Sequence, residues 1–520
     1  PLLDPELEID ITGFDPGLVI DASNSTLRGV SFWGSTNFDI EIGDDAGADV
    51  TGVIIEQSIV GTPPHQFDGS FAPSGNDVIS IASEAKNGTI QDNLMGYADG
   101  GGPTLDSDST GWFVFQNEIR GGGRAAGWGA NQDGVGDGAP GIIVRGNLIA
   151  DMAGGGVDAF RQTGGFTIEQ NTFRNNGTTA PEEFAIRIMG NTGSTITKNI
   201  FEQNNGPAVI VVSDRAVPAY AGSEQNQISQ NRFGDLTAGG DNSGVAIDIL
   251  DAGSPDAEHN GGDGVTPNDG VLVANDGNNG LDYPVIDGAV INGGNLTVTG
   301  FARPGVEIEF YEAFGAANDN NGSGNPHGEG GAYLFTATEG AADADATTGA
   351  SYTDPGYGSD PNVNRFSFTV AAPAGLSIGD EISSIAYQAA DGTSEFGPNF
   401  AVTGPVSSIS GTVFEDLAGN VLDGGESIGD ASNPTVNGVN IRLYNDDGAT
   451  ADQPDATDTL RAGPVATAGA GAYSFASVPD GTYWVVVDSR TVSPAAGVHP
   501  SYLATTPWAE QTYGPDKGWC

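Results

Sequence analysis

The sequence predicts an all-β chain: a solenoid of stacked parallel strands followed by two β-sandwich domains. Three observations carry that prediction. Between Phe166 and Ser213 one unit is written twice, Ile168-x-x-Asn171-x-Phe173 and Ile196-x-x-Asn199-x-Phe201, each followed by Asn-Asn-Gly and a short apolar run. Apolar residues alternate with period two inside each copy, the period of a strand and not of a helix. From Tyr283 onward the frame stops, and short alternating strands of sandwich type take over.

The repeated unit extends both ways. Ile228-x-x-Asn231-x-Phe233 follows it, and Val144-x-x-Asn147-x-Ile149, Val114-x-x-Asn117-x-Ile119 and Ile90-x-x-Asn93-x-Met95 precede it. Weaker copies are Ile54-x-x-Gln57-x-Ile59 and Leu27-x-x-Val30-x-Phe32. Successive copies start 27, 36, 24, 30, 24, 28 and 32 residues apart. A fixed local core with an irregular period means constant strands joined by variable loops. Such a unit cannot bury its apolar face alone, so the copies stack. The first and +5 residues then form inward aliphatic and aromatic columns. The +3 Asn sits at the turn, where its amide can reach backbone groups and the Asn of the next coil, and where Asn tolerates left-handed angles. Eight coils at about 4.8 Å each make a rod of about 40 Å.

This pattern resembles the right-handed parallel β-helix repeats of the pectate-lyase-like superfamily, over residues 1–250. A turn-rich acidic connector, 251–283, follows. Residues 284–404 read as a β-sandwich: LDYPVI, LTVTGFARPGVEIEFYEA and AADGTSEFG resemble bacterial Ig-like repeats, with 316–362 as a long insertion. Residues 405–520 carry ISGTVFEDLAGNVLDGGE, GVNIRLYND and GAYSFASVPDGTYWVVVD in order, and resemble the collagen-adhesin B-type, or SdrD B-like, fold. Lys517 is the only lysine of this module and lies in its tail, so the Lys–Asn crosslink of some B-type domains is not expected.

Composition bounds the partners. There are 17 Lys+Arg against 69 Asp+Glu, a net charge of −52, which repels nucleic acid and anionic membranes. Such a surface calls for bound divalent cations, high external salt, or both. No apolar run is long enough to span a membrane. Cys520 is the single cysteine, so no intramolecular disulfide is available. A helix-poor chain rich in Gly, Asp and Asn fits a secreted bacterial surface protein, and both ends read as cuts in a longer chain.

Candidate chemistry centres on calcium. In NQDGVGDGAP, Asp133 and Asp137 have the oxygen-rich, Gly-bent character of a calcium loop, with a plain turn as the alternative. The B-type resemblance implies a second site at Asp416, Asn420, Asp423 and Glu426, where Ala418 departs from the family's pattern. A glycosidase would need two facing carboxylates on adjacent coils. Read outward, the second-strand column gives Asp158 and Phe160, Ala185 and Arg187, Val209 and Val211, and Ala246 and Asp248, with no such pair. Arg161, Arg187 and Lys198 read as salt-bridge partners, and His65, His259, His327 and His499 fall outside the repeat core.

The expectation is a non-catalytic, extracellular structural or adhesive protein, stabilised by Ca2+. Its partners are neighbouring copies, other surface proteins or polysaccharide. The alternative is a carbohydrate-active β-helix enzyme, a polysaccharide lyase or glycosidase. Filament assembly is a third reading, because open solenoid ends expose strand edges.

Overall fold

The computed structural model describes residues 5, 7–43, 47–71, 75–106, 108–122, 136–137, 141–160, 164–179, 183–213, 222–234, 242–250, 262–274, 276–313, 327–352, 358–414, 435–449, 457–492, 512–513 and 518–519. They divide into two compact units, Pro1–Thr403 and Gly404–Cys520. Among the described residues no helix is long and apolar enough to cross a membrane.

The rod of the first unit has three faces of parallel strands. One is a nine-stranded sheet from Leu7–Asp10 through Thr172–Arg174 and Ile200–Glu202 to Arg232–Phe233. An eight-stranded sheet runs beside it from Thr26–Arg28 to Gln227–Ser229. The third face is in two pieces: five strands from Leu18–Ile20 to Gly136–Asp137, and four from Val157–Phe160 to Ile247–Ile249.

The inward columns follow the repeat. Ile90, Val114, Val144, Ile168, Ile196 and Ile228 are in register and buried. So are Met95, Ile119, Ile149, Phe173, Phe201 and Phe233. Each such side chain contributes about 1.5–3 kcal/mol over its exposed state. The rings of Phe173 and Phe201 stack at 5.1 Å, and those of Phe201 and Phe233 at 5.2 Å.

One weak copy is placed a residue off by the sequence. Ile55, not Ile54, pairs with Leu27 and Ile90, and Val60, not Ile59, pairs with Phe32 and Met95. The Ile54–Ile55 doublet fits either phase, and only the ladder decides: Ser58 donates its N–H to Asn93 Oδ1 at 3.0 Å. The frame is therefore Ile55-x-x-Ser58-x-Val60.

The asparagine ladder is complete from Asn93 to Asn231. Asn171 donates its N–H to Asn199 Oδ1 at 2.9 Å and its amide to the same oxygen at 3.0 Å and to the Val144 carbonyl at 2.9 Å. Asn93, Asn117, Asn147 and Asn199 make the same three bonds. The left-handed residue is the one before the Asn: Asp92, Gln116, Gly146, Gln170, Lys198 and Gln230 have φ between 52° and 66°. The Asn is thus selected for its amide, not for its backbone freedom. A second ladder runs from Asn176 to Asn204 to Asn242.

Two antiparallel sheets complete the unit. Val285–Asn292, Asn295–Ala302 and Asn364–Ala371 form one; Gly330–Thr338, Glu307–Ala313, Glu381–Gln388, Gly392–Thr393 and Phe400–Ala401 form the other. They enclose Leu296, Val298, Phe310, Phe366, Phe368 and Ile382. The 316–362 insertion supplies the edge strand Gly330–Thr338.

This antiparallel layer closes the C-terminal end of the rod, which corrects the expectation that both solenoid ends are open. The last coil's unpaired N–H groups find side chains on it: Ile228 donates to Thr393 Oγ1 (2.8 Å), Gln230 to Glu309 (2.9 Å) and Ile249 to Glu395 (2.9 Å). Phe396 sets its ring edge-on at 5.5 Å against Phe233, ending the aromatic column. An exposed parallel edge would leave these donors to water or to another chain.

The second unit is antiparallel as well. Val406–Thr412 pairs with Ala472–Pro479, and Asn440–Asn445 lies between Leu460–Ala466 and Tyr483–Val487. Val439, Ile441, Leu443, Phe475 and Val478 form its core.

Candidate functional site

The expected calcium residues are not brought to view. Asp133, Asp416, Asn420, Asp423 and Glu426 lie outside the described residues, and of Asp137 only the backbone is described, paired with Leu105. Among the described residues no group of three His, Cys, Asp or Glu is arranged to hold a metal.

The second-strand column differs from its sequence reading. Asp158, Arg187, Ile210 and Asp248 are in register, while Val209 and Val211 point into the core with Ile186, Ile188, Ile247 and Ile249. The run Val209–Val212 has no polar alternation, so its phase cannot be read from period two. On the other side of this sheet Phe184, Met189, Ile210, Val212 and Leu250 form a separate apolar cluster. Arg187 and Asp158 are both buried and bond at 2.6 Å, with the guanidinium 4.9 Å from the Phe184 ring. The pair is a buried stitch between coils, as read for Arg187.

Further acids are tied along the rod in the same way. Arg28 reaches Glu56 (2.8 Å), Arg120 reaches Asp151 (2.7 Å), Arg145 reaches Glu169, and Glu202 takes both Arg174 and Arg232. Each pair joins adjacent coils.

One open groove lies on the turns that follow the nine-stranded sheet. It encloses about 710 Å³ and is lined by Asp151, Arg174, Asn175, Thr178, Gln203, Asn204, Asn205 and Ser243. Asp151, Asn175 and Gln203 follow aligned strand ends and have φ of 60°, 53° and 58°. That left-handed turn aims their side chains outward, one per coil, about 4.8 Å apart. Asn175 donates to Asp151 at 2.8 Å, and Ser243 to Asn205 at 3.2 Å. Two coils earlier in the same column, the ring of Tyr97 lies over Gly121, where a Cβ would stand 2.5 Å from it. Phe67 packs edge-on to Tyr97 at 5.1 Å. The turns therefore carry amides, hydroxyls and an aromatic face on a rigid frame, chemistry that suits a hydroxyl-rich polymer. In the sequence only Asn175-Asn176-Gly177 and Asn204-Asn205-Gly206 mark these coils, and they are one residue out of phase with each other relative to the turn.

Stacked parallel coils with an internal Asn ladder are the decisive observation. The rod contains a right-handed β-helix. The family described as a right handed beta helix region matches residues 116–279. Among solved structures the chain is similar to the A-module of the mannuronan C-5 epimerase AlgE6 of Azotobacter vinelandii (15% identity, 40% of this chain, 58% of that one, TM-score 0.28). It is similar also to the enzymatically active domain of tailspike protein 2 of bacteriophage CBA120 (11%, 73% and 64%, TM-score 0.31). A third is the catalytic unit of a thermostable GH87 alpha-1,3-glucanase from Streptomyces thermodiastaticus strain HF3-3 (13%, 47% and 59%, TM-score 0.22). The chain spans less than two thirds of each of these proteins, and no functional residue is carried over from them.

Proposed function

We propose that this chain is a non-catalytic, extracellular structural or adhesive module whose β-helix presents the Asp151–Asn175–Gln203 groove, with Tyr97 two coils before it in the same column, to a polysaccharide. The observation that supports it is how the rod uses its acids. Asp158, Glu169 and Glu202 are spent on ion pairs between coils, while the groove is lined mainly by amides and hydroxyls. Ca2+ on the loop of Asp416, Asn420, Asp423 and Glu426 belongs to this reading as a brace of the last module, as does a place at the bacterial cell surface.

A second reading is a carbohydrate-active enzyme. It is favoured by one feature, the Asp151 carboxylate in a groove whose volume falls within the usual range for ligand sites. Incubation with neutral and acidic polysaccharides separates the two. The structural reading expects no new reducing ends and no unsaturated sugars. Product release abolished by Asp151→Ala would establish the enzyme.

A further inference from the structure

We infer that Asp248 is held as a neutral carboxylic acid where the β-helix meets the antiparallel layer, and that its ionisation loosens that junction as pH rises. Asp248 lies on the last strand of the third face, Ile247–Ile249, and is fully buried. Its Oδ2 accepts the N–H of Gly264 at 3.1 Å, and its Oδ1 has no hydrogen-bond partner. The backbone of Gly262 presses on this carboxylate, since a Cβ there would stand 2.0 Å from Oδ2.

The groups around it are acidic or apolar. Asp263 comes from the loop that follows, and Glu395 from the antiparallel layer. Ile210 is its neighbour on the adjacent strand, and one strand beyond it Arg187 is committed to Asp158. Glu395 takes three hydrogen bonds, from Ile249 N (2.9 Å), Thr266 N (2.7 Å) and Thr266 Oγ1 (3.1 Å). Those donors fix the Glu395 carboxyl in place across the junction. Asp248 shares a side-chain hydrogen bond with Asp263, which two carboxyl groups can form only around a proton, and a charged Asp248 would leave its buried Oδ1 uncompensated. Burial first, and Asp263 second, push Asp248 well above the ordinary carboxylate range. Burial first, and Asp248 second, do the same to Glu395.

The folded junction therefore keeps a proton that the opened junction releases. Its stability is full below the ordinary carboxylate range, about pH 4, and falls as pH rises through the raised value. Opening would return Ile228, Gln230 and Ile249 N–H groups to solvent, so the last coil becomes a pairing edge as pH rises.

Two measurements on the full chain test this. Infrared difference spectra, wild type minus Asp248→Asn, should contain a protonated-carboxyl stretch that bleaches as pH rises. Amide exchange, corrected for intrinsic rate, should lose at least tenfold protection over 245–250 and 226–233 between about pH 5 and about pH 9. Asp248→Asn should flatten that loss. If Asp248→Asn does not fold, Asp263→Asn, which removes the neighbouring acid, should shift the transition to lower pH. Absence of the stretch in the wild type, or a transition unchanged in whichever variant folds, overturns the inference.

Discussion

Asn242 ends the second asparagine ladder on Glu329. One carboxylate accepts both the backbone N–H of Asn242, at 3.3 Å, and its side-chain amide, at 2.9 Å. Glu329 lies just ahead of the edge strand Gly330–Thr338, so the antiparallel layer supplies the rung that a further coil would have supplied. Glu309 and Glu395 act alike on neighbouring corners of the last coil. Replacing Glu329 by Ala leaves two buried donors unsatisfied, a cost of about 1–3 kcal/mol each. Denaturant titration should place Glu329→Ala below the wild type by that order; coincident midpoints would mean that water caps the rod.

The first ladder predicts a similar loss at its centre. Asn171→Ala or Asn199→Ala removes two donated side-chain bonds and the acceptor for the coil before. A destabilisation of about 2 kcal/mol or more is expected from the unpaired groups alone. Thermal unfolding equal to wild type in both variants would remove the ladder's structural role.

The fold was legible in the sequence where residues repeat with distinct chemistry. Asn171, Asn199 and their counterparts mark the turn, and Phe173, Phe201 and Phe233 mark the core, so coils and phase follow. Phase was lost where every residue is apolar, as at Ile54–Ile55 and Val209–Val212, because alternation then has no contrast. The groove escaped detection because its residues are 24 to 40 positions apart and share only a left-handed turn. The cap was invisible for another reason. Glu309, Glu329 and Glu395 look like ordinary strand-edge acids until the fold sets them against the rod's last coil.

Asp77 predicts a pH effect within the rod. It is buried, accepts the N–H of Gly101 at 2.7 Å, and burial pushes it up to about 6. Because the folded value exceeds the unfolded one, the folded state binds the proton more tightly. Stability is lost as pH rises from about 4 through about 6. Asp77→Asn should keep the acceptor and abolish that loss, so its melting temperature should exceed the wild type's above pH 6 and match it near pH 4. A variant that melts below the wild type at every pH would assign Asp77 a charged role.

Calcium bears on the last module. Without a cation, Asp416, Asp423 and Glu426 crowd three negative charges on one short loop. Binding stabilises by mass action, about 2.7 kcal/mol at a hundredfold excess over Kd. In the full chain the transition of 404–520 should rise with calcium and fall with chelator, and Asp423→Ala should remove the response. Sodium chloride at matched ionic strength should not replace calcium if coordination is the cause. An unresponsive transition would return the loop to a solvated turn.

The groove is the centre of the functional account, and a binding titration against soluble polysaccharides tests it most directly. Immobilised wild-type chain should retain a hydroxyl-rich polymer reversibly and release no product. Tyr97→Ala and Asn175→Ala should each weaken retention at least tenfold, Asn175→Ala without lowering the melting temperature of the rod, because its side chain is exposed on a surface turn. Retention unchanged in both variants, or conversion of the polymer by the wild type, would contradict a non-catalytic rod that binds through this face.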